Sequence, residues 1–215
     1  MINDKFNTYT FYEYGYTVGF VSKDIEDKCK RIIQNTTWVG DAPRFADWAI
    51  LPESTADEMY YEEAVRAKMS YSRAPLEMKS LAHELIDLPF FDTFKSLYAK
   101  KQHQSYRGIR NFKPSSMGLW DKQEDVPWHN DLSDTSNFFI LLYINDYPTW
   151  TTSWGGHLKM AKRNEDGSIT ETFEMPPING TFCVVNNMNP LCNHSVVSSG
   201  PNIDRYTFGF RYTIE

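Results

Sequence analysis

From about residue 103 onward, turn-forming residues cut the chain into short runs rich in β-branched and aromatic side chains, and this spacing restricts the fold more than any other feature. The runs fall at 104–112, 117–120, 137–144, 157–161, 169–173, 181–185, 195–197 and 206–213. Eight strands spaced in this way point to a jelly roll, a double-stranded β-helix of the cupin-like kind. The first hundred residues have another texture. After a short extended start, Ser22 followed by Ile25, Cys29, Ile32 and Ile33 marks a capped amphipathic helix. A second helix fits 54–72, a third runs from Leu76 until Pro89 interrupts it, and 90–100 continues as a helix beyond that break. The expected class is α+β, mainly β, with supporting N-terminal helices packed against one sheet. A length of 215 residues suits a single domain, 1–215, in which the shift near residue 100 is a change of layer.

Charge and cysteine usage remove several function classes. A net charge of -6 argues against a general nucleic-acid surface, since phosphate binding needs concentrated Lys and Arg. The one dense basic stretch, from Lys100 and Lys101 through Arg107 and Arg110, is short and reads as a solvated face. No apolar run approaches the roughly 20 residues that span a bilayer. The start, Met1-Ile2-Asn3-Asp4-Lys5, lacks the charged-then-apolar layout of a signal peptide, so a cytoplasmic protein without a membrane partner is expected. Cys29, Cys183 and Cys192 are odd in number and not in Cys-x-x-Cys spacing. Neither a disulfide framework nor a thiolate zinc site is indicated.

Three residues carry a metal signature. In an extended segment side chains alternate faces, so His129 and Asp131 point the same way while Asn130 points away. A distant histidine, His194 within Asn193-His194-Ser195, can complete the set from another strand. Two imidazoles and a carboxylate on one face of an octahedral ion leave the remaining positions open, which is the facial triad of non-haem Fe(II) oxygenases. The last strand adds a second signal. Arg205, Thr207, Gly209 and Arg211 alternate with Tyr206, Phe208, Phe210 and Tyr212. The aromatic face should pack under the helices and the Arg/Thr face look into the barrel. An inward arginine is costly unless an anion meets it, and the distal carboxylate of a dicarboxylic co-substrate is the natural one.

With these pieces in place, the run from about Met117 to Thr213 resembles the 2-oxoglutarate- and Fe(II)-dependent dioxygenases, in their prolyl 4-hydroxylase-like branch. The matching pieces are His129-Asn130-Asp131, Leu142-Tyr143-Ile144-Asn145, Trp154-Gly155-Gly156-His157-Leu158, Pro177 with Asn179-Gly180-Thr181-Phe182, Asn193-His194-Ser195-Val196, and Arg205-Tyr206-Thr207. The resemblance implies that His129, Asp131 and His194 are catalytic iron ligands and that Arg205 binds 2-oxoglutarate, with Tyr143 and Thr207 beside it. It implies Fe(II), 2-oxoglutarate and O2 as cofactor and co-substrates, with ascorbate as an accessory. The reaction would hydroxylate a prolyl residue of a peptide or protein, or a free amino acid, releasing succinate and CO2. Asp131 excludes the related halogenases, which carry a small residue there. His157 departs from the acidic residue usual after the Gly-Gly pair, and Arg211 rivals Arg205, although at about 3.3 Å per residue it lies about 20 Å further along the strand.

Two other classes remain open at this point. A non-catalytic jelly-roll binding module with a vestigial metal site would leave Arg205 unexplained. A zinc hydrolase on the same three ligands would do the same. His83 and His103 lack a second ligand at metal spacing and read as surface residues. Trp120, Trp128, Trp150 and Trp154 surround the motif-bearing loops, as core or as the rim of a substrate site. Substrate choice is expected to reside in the loops at 44–60, 121–128 and 146–155.

Overall fold

The computed structural model describes residues 5–35, 76–97, 102–111, 126–131, 138–145, 149–197 and 206–214. Its architecture is mainly β. Among the described residues nine strands form two antiparallel sheets, facing each other as a jelly roll. The strands are β1 (Tyr16–Phe20), β2 (Gln102–Asn111), β3 (Val126–His129), β4 (Phe138–Ile144), β5 (Leu158–Arg163), β6 (Ile169–Met175), β7 (Thr181–Asn186), β8 (Cys192–Val196) and β9 (Tyr206–Ile214). The larger sheet has the order β1-β7-β4-β9-β2 and the smaller one β3-β8-β5-β6.

Alternation along β4 and β9 explains how the layers assemble. Phe138, Ile140, Leu142 and Ile144 of β4, with Phe208, Phe210 and Tyr212 of β9, share one buried cluster with the helices. The aromatic face of β9 thus packs under the helical layer, as its alternation requires. Phe138 stacks on Tyr212 with centroids 4.9 Å apart, and Phe94 meets Phe138 edge-on at 4.8 Å. The Tyr212 hydroxyl donates to the Ala82 carbonyl at 2.9 Å, so the phenol is buried without leaving its polar end unpaired. The opposite face of β4 presents Phe139 and Tyr143 to a second cluster between the sheets, with Val18, Leu158, Met160, Met175, Cys183 and Val185.

The helical layer comprises α1 (Thr8–Glu13), α2 (Lys23–Asn35), α3 (Leu76–Ile86) and α4 (Asp92–Leu97). In α2 the expected stripe is the buried one: Ile25, Cys29 and Ile32. α3 ends before Pro89, where a 3-10 turn over Pro89–Phe91 precedes α4. The expected extended start is instead a helix followed by a strand. The Asn7 side chain accepts from the Thr10 amide at 3.0 Å and caps α1, overriding the β preference of its Thr and Tyr residues. β1 then enters the large sheet beside β7, where Gly19 sits opposite Phe182. A Cβ on Gly19 would lie 2.5 Å from the Phe182 ring and 2.9 Å from that of Phe90, so only glycine lets β1 approach.

β3 was not among the expected strands, because Pro127 interrupts its pattern. Its edge position tolerates a residue without an N–H. β8 begins at Cys192, three residues before the expected 195–197 run, and so includes His194. The expected helix at 54–72 and strand at 117–120 lie outside the described residues. All three cysteines are unpaired and buried. Burial raises the thiols of Cys29 and Cys183 far above their ordinary range and pushes Cys192 up to about 11. No helix among the described residues is long and apolar enough to cross a membrane.

Phe182 is fully buried at the meeting point of β7, β1 and the Pro89–Phe91 turn, with Phe90 at 5.0 Å and Phe91 at 6.0 Å. Phe182→Ala should therefore destabilise the fold by about 3–5 kcal/mol, measured as a lowered urea midpoint. A loss below about 1 kcal/mol would contradict this packing.

Candidate metal centre

The two histidines are brought together by strand pairing. β3 and β8 run antiparallel with His129 opposite His194, and the ring centroids are 4.2 Å apart. On its other side His194 pairs with Met160 of β5, which in turn pairs with Phe173 of β6. Directly opposed residues share a face, and Met160 is fully buried between the sheets. His194 therefore points into the barrel, where it is 6% exposed and the Phe139 ring lies edge-on at 5.6 Å.

Asp131 follows β3 by two residues, so the chain's extended run returns its carboxylate to the face of His129. Its Oδ1 is 3.9 Å from His129 Nε2 and its Oδ2 is 3.8 Å from His194 Nε2. The donor atoms of all three residues lie within 4.8 Å of one another, within reach of a single ion. Among the described residues this is the one group of His, Cys, Asp and Glu side chains so arranged. One carboxylate and two imidazoles suit a divalent cation with open positions. The His194 side chain is 8% exposed, that of Asp131 18% and that of His129 40%, so the cluster faces the apolar interior on one side and solvent on the other. Asn130 turns away, as alternation demands, and its Nδ2 donates to the Pro190 carbonyl at 3.2 Å.

A second polar position is formed on β4 and β9. Tyr143 of β4 stands opposite Thr207 of β9, and they are 1% and 6% exposed. The Thr207 hydroxyl oxygen is buried and has no hydrogen-bond partner among the described residues. An unmet buried hydroxyl costs about 1–3 kcal/mol, a penalty that a ligand oxygen placed there would remove. Arg205 lies outside the described residues. Arg211 is placed by backbone register opposite Phe139 and Ser105.

His157 and His83 lie outside the group formed by His129, Asp131 and His194. His157 is 4% exposed with Nδ1 3.9 Å from Glu174 Oε1, a partner on β6. His83 is exposed on α3. Trp150 and Trp154 meet edge-on at 5.3 Å, and the Trp150 indole donates to the Gly155 carbonyl at 2.8 Å. That pair folds the 149–156 loop on itself; Trp128 is half-buried, and Trp120 lies outside the described residues. Phe139 was missed as a wall of the site. Its place in the inward series 139, 141, 143 of β4 was the available signal.

No protein-family model matches the sequence, and no curated protein matches it either. Solved structures do match. A prolyl-4-hydroxylase from Pseudomonas putida superposes with a TM-score of 0.51 at 13% identity, over 96% of each chain. A prolyl hydroxylase from Trichoplax adhaerens, in complex with a hypoxia inducible factor oxygen degradation domain peptide fragment, gives 0.56 at 14% identity over 95% of this chain and 86% of that one. The chain has the fold of these enzymes. A prolyl 4-hydroxylase from Phytophthora capsici gives 0.53 at 13% identity, covering 95% of this chain and 60% of its own.

If the three side chains share one ion, Asp131→Ala should abolish retention of Fe(II), or of Co(II) as a spectroscopic substitute, while leaving the circular dichroism of the metal-free protein unaltered. Retained stoichiometric binding by that variant would show that the cluster is not the metal site.

Proposed function

We propose that the chain is a non-haem Fe(II)- and 2-oxoglutarate-dependent dioxygenase that hydroxylates a prolyl residue of a peptide or protein. The observation that carries this reading is the convergence of His129, Asp131 and His194 at the solvent-facing side of a jelly roll. His129, Asp131 and His194 would hold the iron. The fold likeness to prolyl hydroxylases, one of them bound to a peptide, supports the reaction and substrate class. When bound, Fe(II) supplies the O2 chemistry that couples decarboxylation of 2-oxoglutarate, to succinate and CO2, with hydroxylation of a substrate C–H bond.

The chain's own residues do the rest. His129, Asp131 and His194 would hold the ion through three donors and so leave it open positions for co-substrate and O2. Thr207 and Tyr143 offer hydroxyls to the distal carboxylate of 2-oxoglutarate, and Arg205, two residues before Thr207 on the chain, supplies the charge. Phe139 and the inter-sheet cluster keep water from the buried side of the site. The more exposed His129 side leaves room for a polypeptide to reach the metal. A free amino acid is the alternative substrate of the same chemistry.

Succinate should form only when Fe(II), O2 and 2-oxoglutarate are all present, with slow turnover in the absence of the prime substrate. Equal activity without 2-oxoglutarate would overturn the proposal, and activity with Zn(II) in place of iron would assign a hydrolase instead.

Arg205→Ala should weaken 2-oxoglutarate binding about tenfold to a hundredfold, since a charge-assisted hydrogen bond contributes about 1.5–3 kcal/mol. Lysine at this position should restore only part of the loss, lacking the bidentate fork. Anaerobic titration of 2-oxoglutarate into the Fe(II) protein reads both. If Arg211→Ala weakens binding and Arg205→Ala does not, the anchor is Arg211.

A further inference from the structure

The end of β4 that carries Tyr143 is gripped by a chain of hydrogen bonds running back to the first turn of α2. The Asn145 amide donates to Asn179 Oδ1 at 3.1 Å. The Asn145 side chain, 2% exposed, donates to the Pro177 carbonyl at 2.7 Å. Asn179 Nδ2 donates to Glu26 Oε2 at 2.8 Å, and Lys23 Nζ donates to the same oxygen at 3.3 Å. Backbone bonds run in parallel: the Gly180 amide donates to the Tyr143 carbonyl and the Val21 amide to the Gly180 carbonyl, each at 2.9 Å.

Gly180 makes this approach possible. Its φ is +77°, and a Cβ there would lie 2.5 Å from Glu26 Oε1. The helix carboxylate is thus seated directly against the β6–β7 connection. Asn179 is the hub, because its side chain uses both ends at once, accepting from β4 and donating to α2. Such a bifunctional amide defines the relative placement of two elements more tightly than an apolar contact does.

Resting on the function proposed above, we infer that Asn179, with Asn145 and Glu26, is a positioning residue for the co-substrate: it holds Tyr143 in register with Thr207 and so couples α2 to 2-oxoglutarate affinity. The bonds of Asn145, Asn179 and Glu26 described above run to one another, to Pro177 and to Lys23. The coupling should therefore act on 2-oxoglutarate and spare the metal. Linkage requires the reverse effect as well: co-substrate binding must tighten the clamp.

The test uses the full chain loaded anaerobically with Mn(II), with 2-oxoglutarate titrated by calorimetry and Mn(II) affinity measured separately by electron paramagnetic resonance. Asn179→Asp keeps the acceptor for Asn145 but sets a carboxylate against Glu26. It should weaken 2-oxoglutarate binding about fivefold or more, with Mn(II) affinity within about twofold of the parent. Adding Glu26→Gln reverses donor and acceptor across the contact and should recover most of the loss. In the parent, 2-oxoglutarate should slow hydrogen exchange at the amides of Val21 and Gly180, a readout independent of any variant's folding. Unchanged 2-oxoglutarate affinity in Asn179→Asp, parallel loss of both affinities, no recovery in the double variant, or no protection in the parent would each overturn the inference. A parent that binds Mn(II) but no 2-oxoglutarate would instead remove the proposed function, and the inference with it.

Discussion

Burial of both faces of the five-stranded sheet is the constraint from which the rest of the structure follows. A half-exposed antiparallel sheet needs apolar residues on one face only, whereas β4 and β7 here are buried along almost their whole length. One face is closed by the helices, through Phe91, Phe94, Leu81 and Leu85. Only then is the other face free to turn inward on the smaller sheet and enclose a space between them. Residues 139 and 143 of β4 lie in that space, while 138, 140, 142 and 144 anchor the helical layer. Displacing β4 by one residue would exchange the two sets. The same alternation that stabilises the core therefore decides which side chains can meet a ligand.

Much of this was legible because β4 and β7 are short runs rich in β-branched and aromatic residues, and because β9 alternates aromatic residues with small and polar ones. The stripe in α2 and the break at Pro89 were legible for the same local reason. What escaped was set by competition. At Thr8–Glu13 a single capping side chain, Asn7, outweighs β-prone residues, and at β3 a proline conceals a strand whose edge position makes it permissible. β8 begins with Cys192 and Asn193, whose mixed character hid two residues of strand and the one bearing His194.

The candidate site divides along similar lines. That residues 129 and 131 share a side is local geometry and could be read from the chain. That His194 stands opposite His129 is a long-range pairing, which depends on how β8 lies between β3 and β5. Glu26 was beyond reach of any sequence argument: an acidic residue in the first turn of a helix is favourable for the dipole alone, and nothing local shows that it meets Asn179. His157, where the resemblance leads one to expect an acidic residue, lies with its Nδ1 3.9 Å from Glu174 Oε1 on β6.

β3 is an edge strand with a single neighbour among the described residues, and its register with β8 is already irregular between Val126 and His129. Its attachment is therefore among the weaker points of the smaller sheet. Two of the three donors stand on β3 and its continuation, the third on β8. An ion gripped by all three is a cross-link between the strands, closing a long loop of chain and opposing the fraying of an otherwise poorly held edge. Part of the free energy of capturing such an ion would then go into holding β3 against β8, and its removal would loosen that edge first.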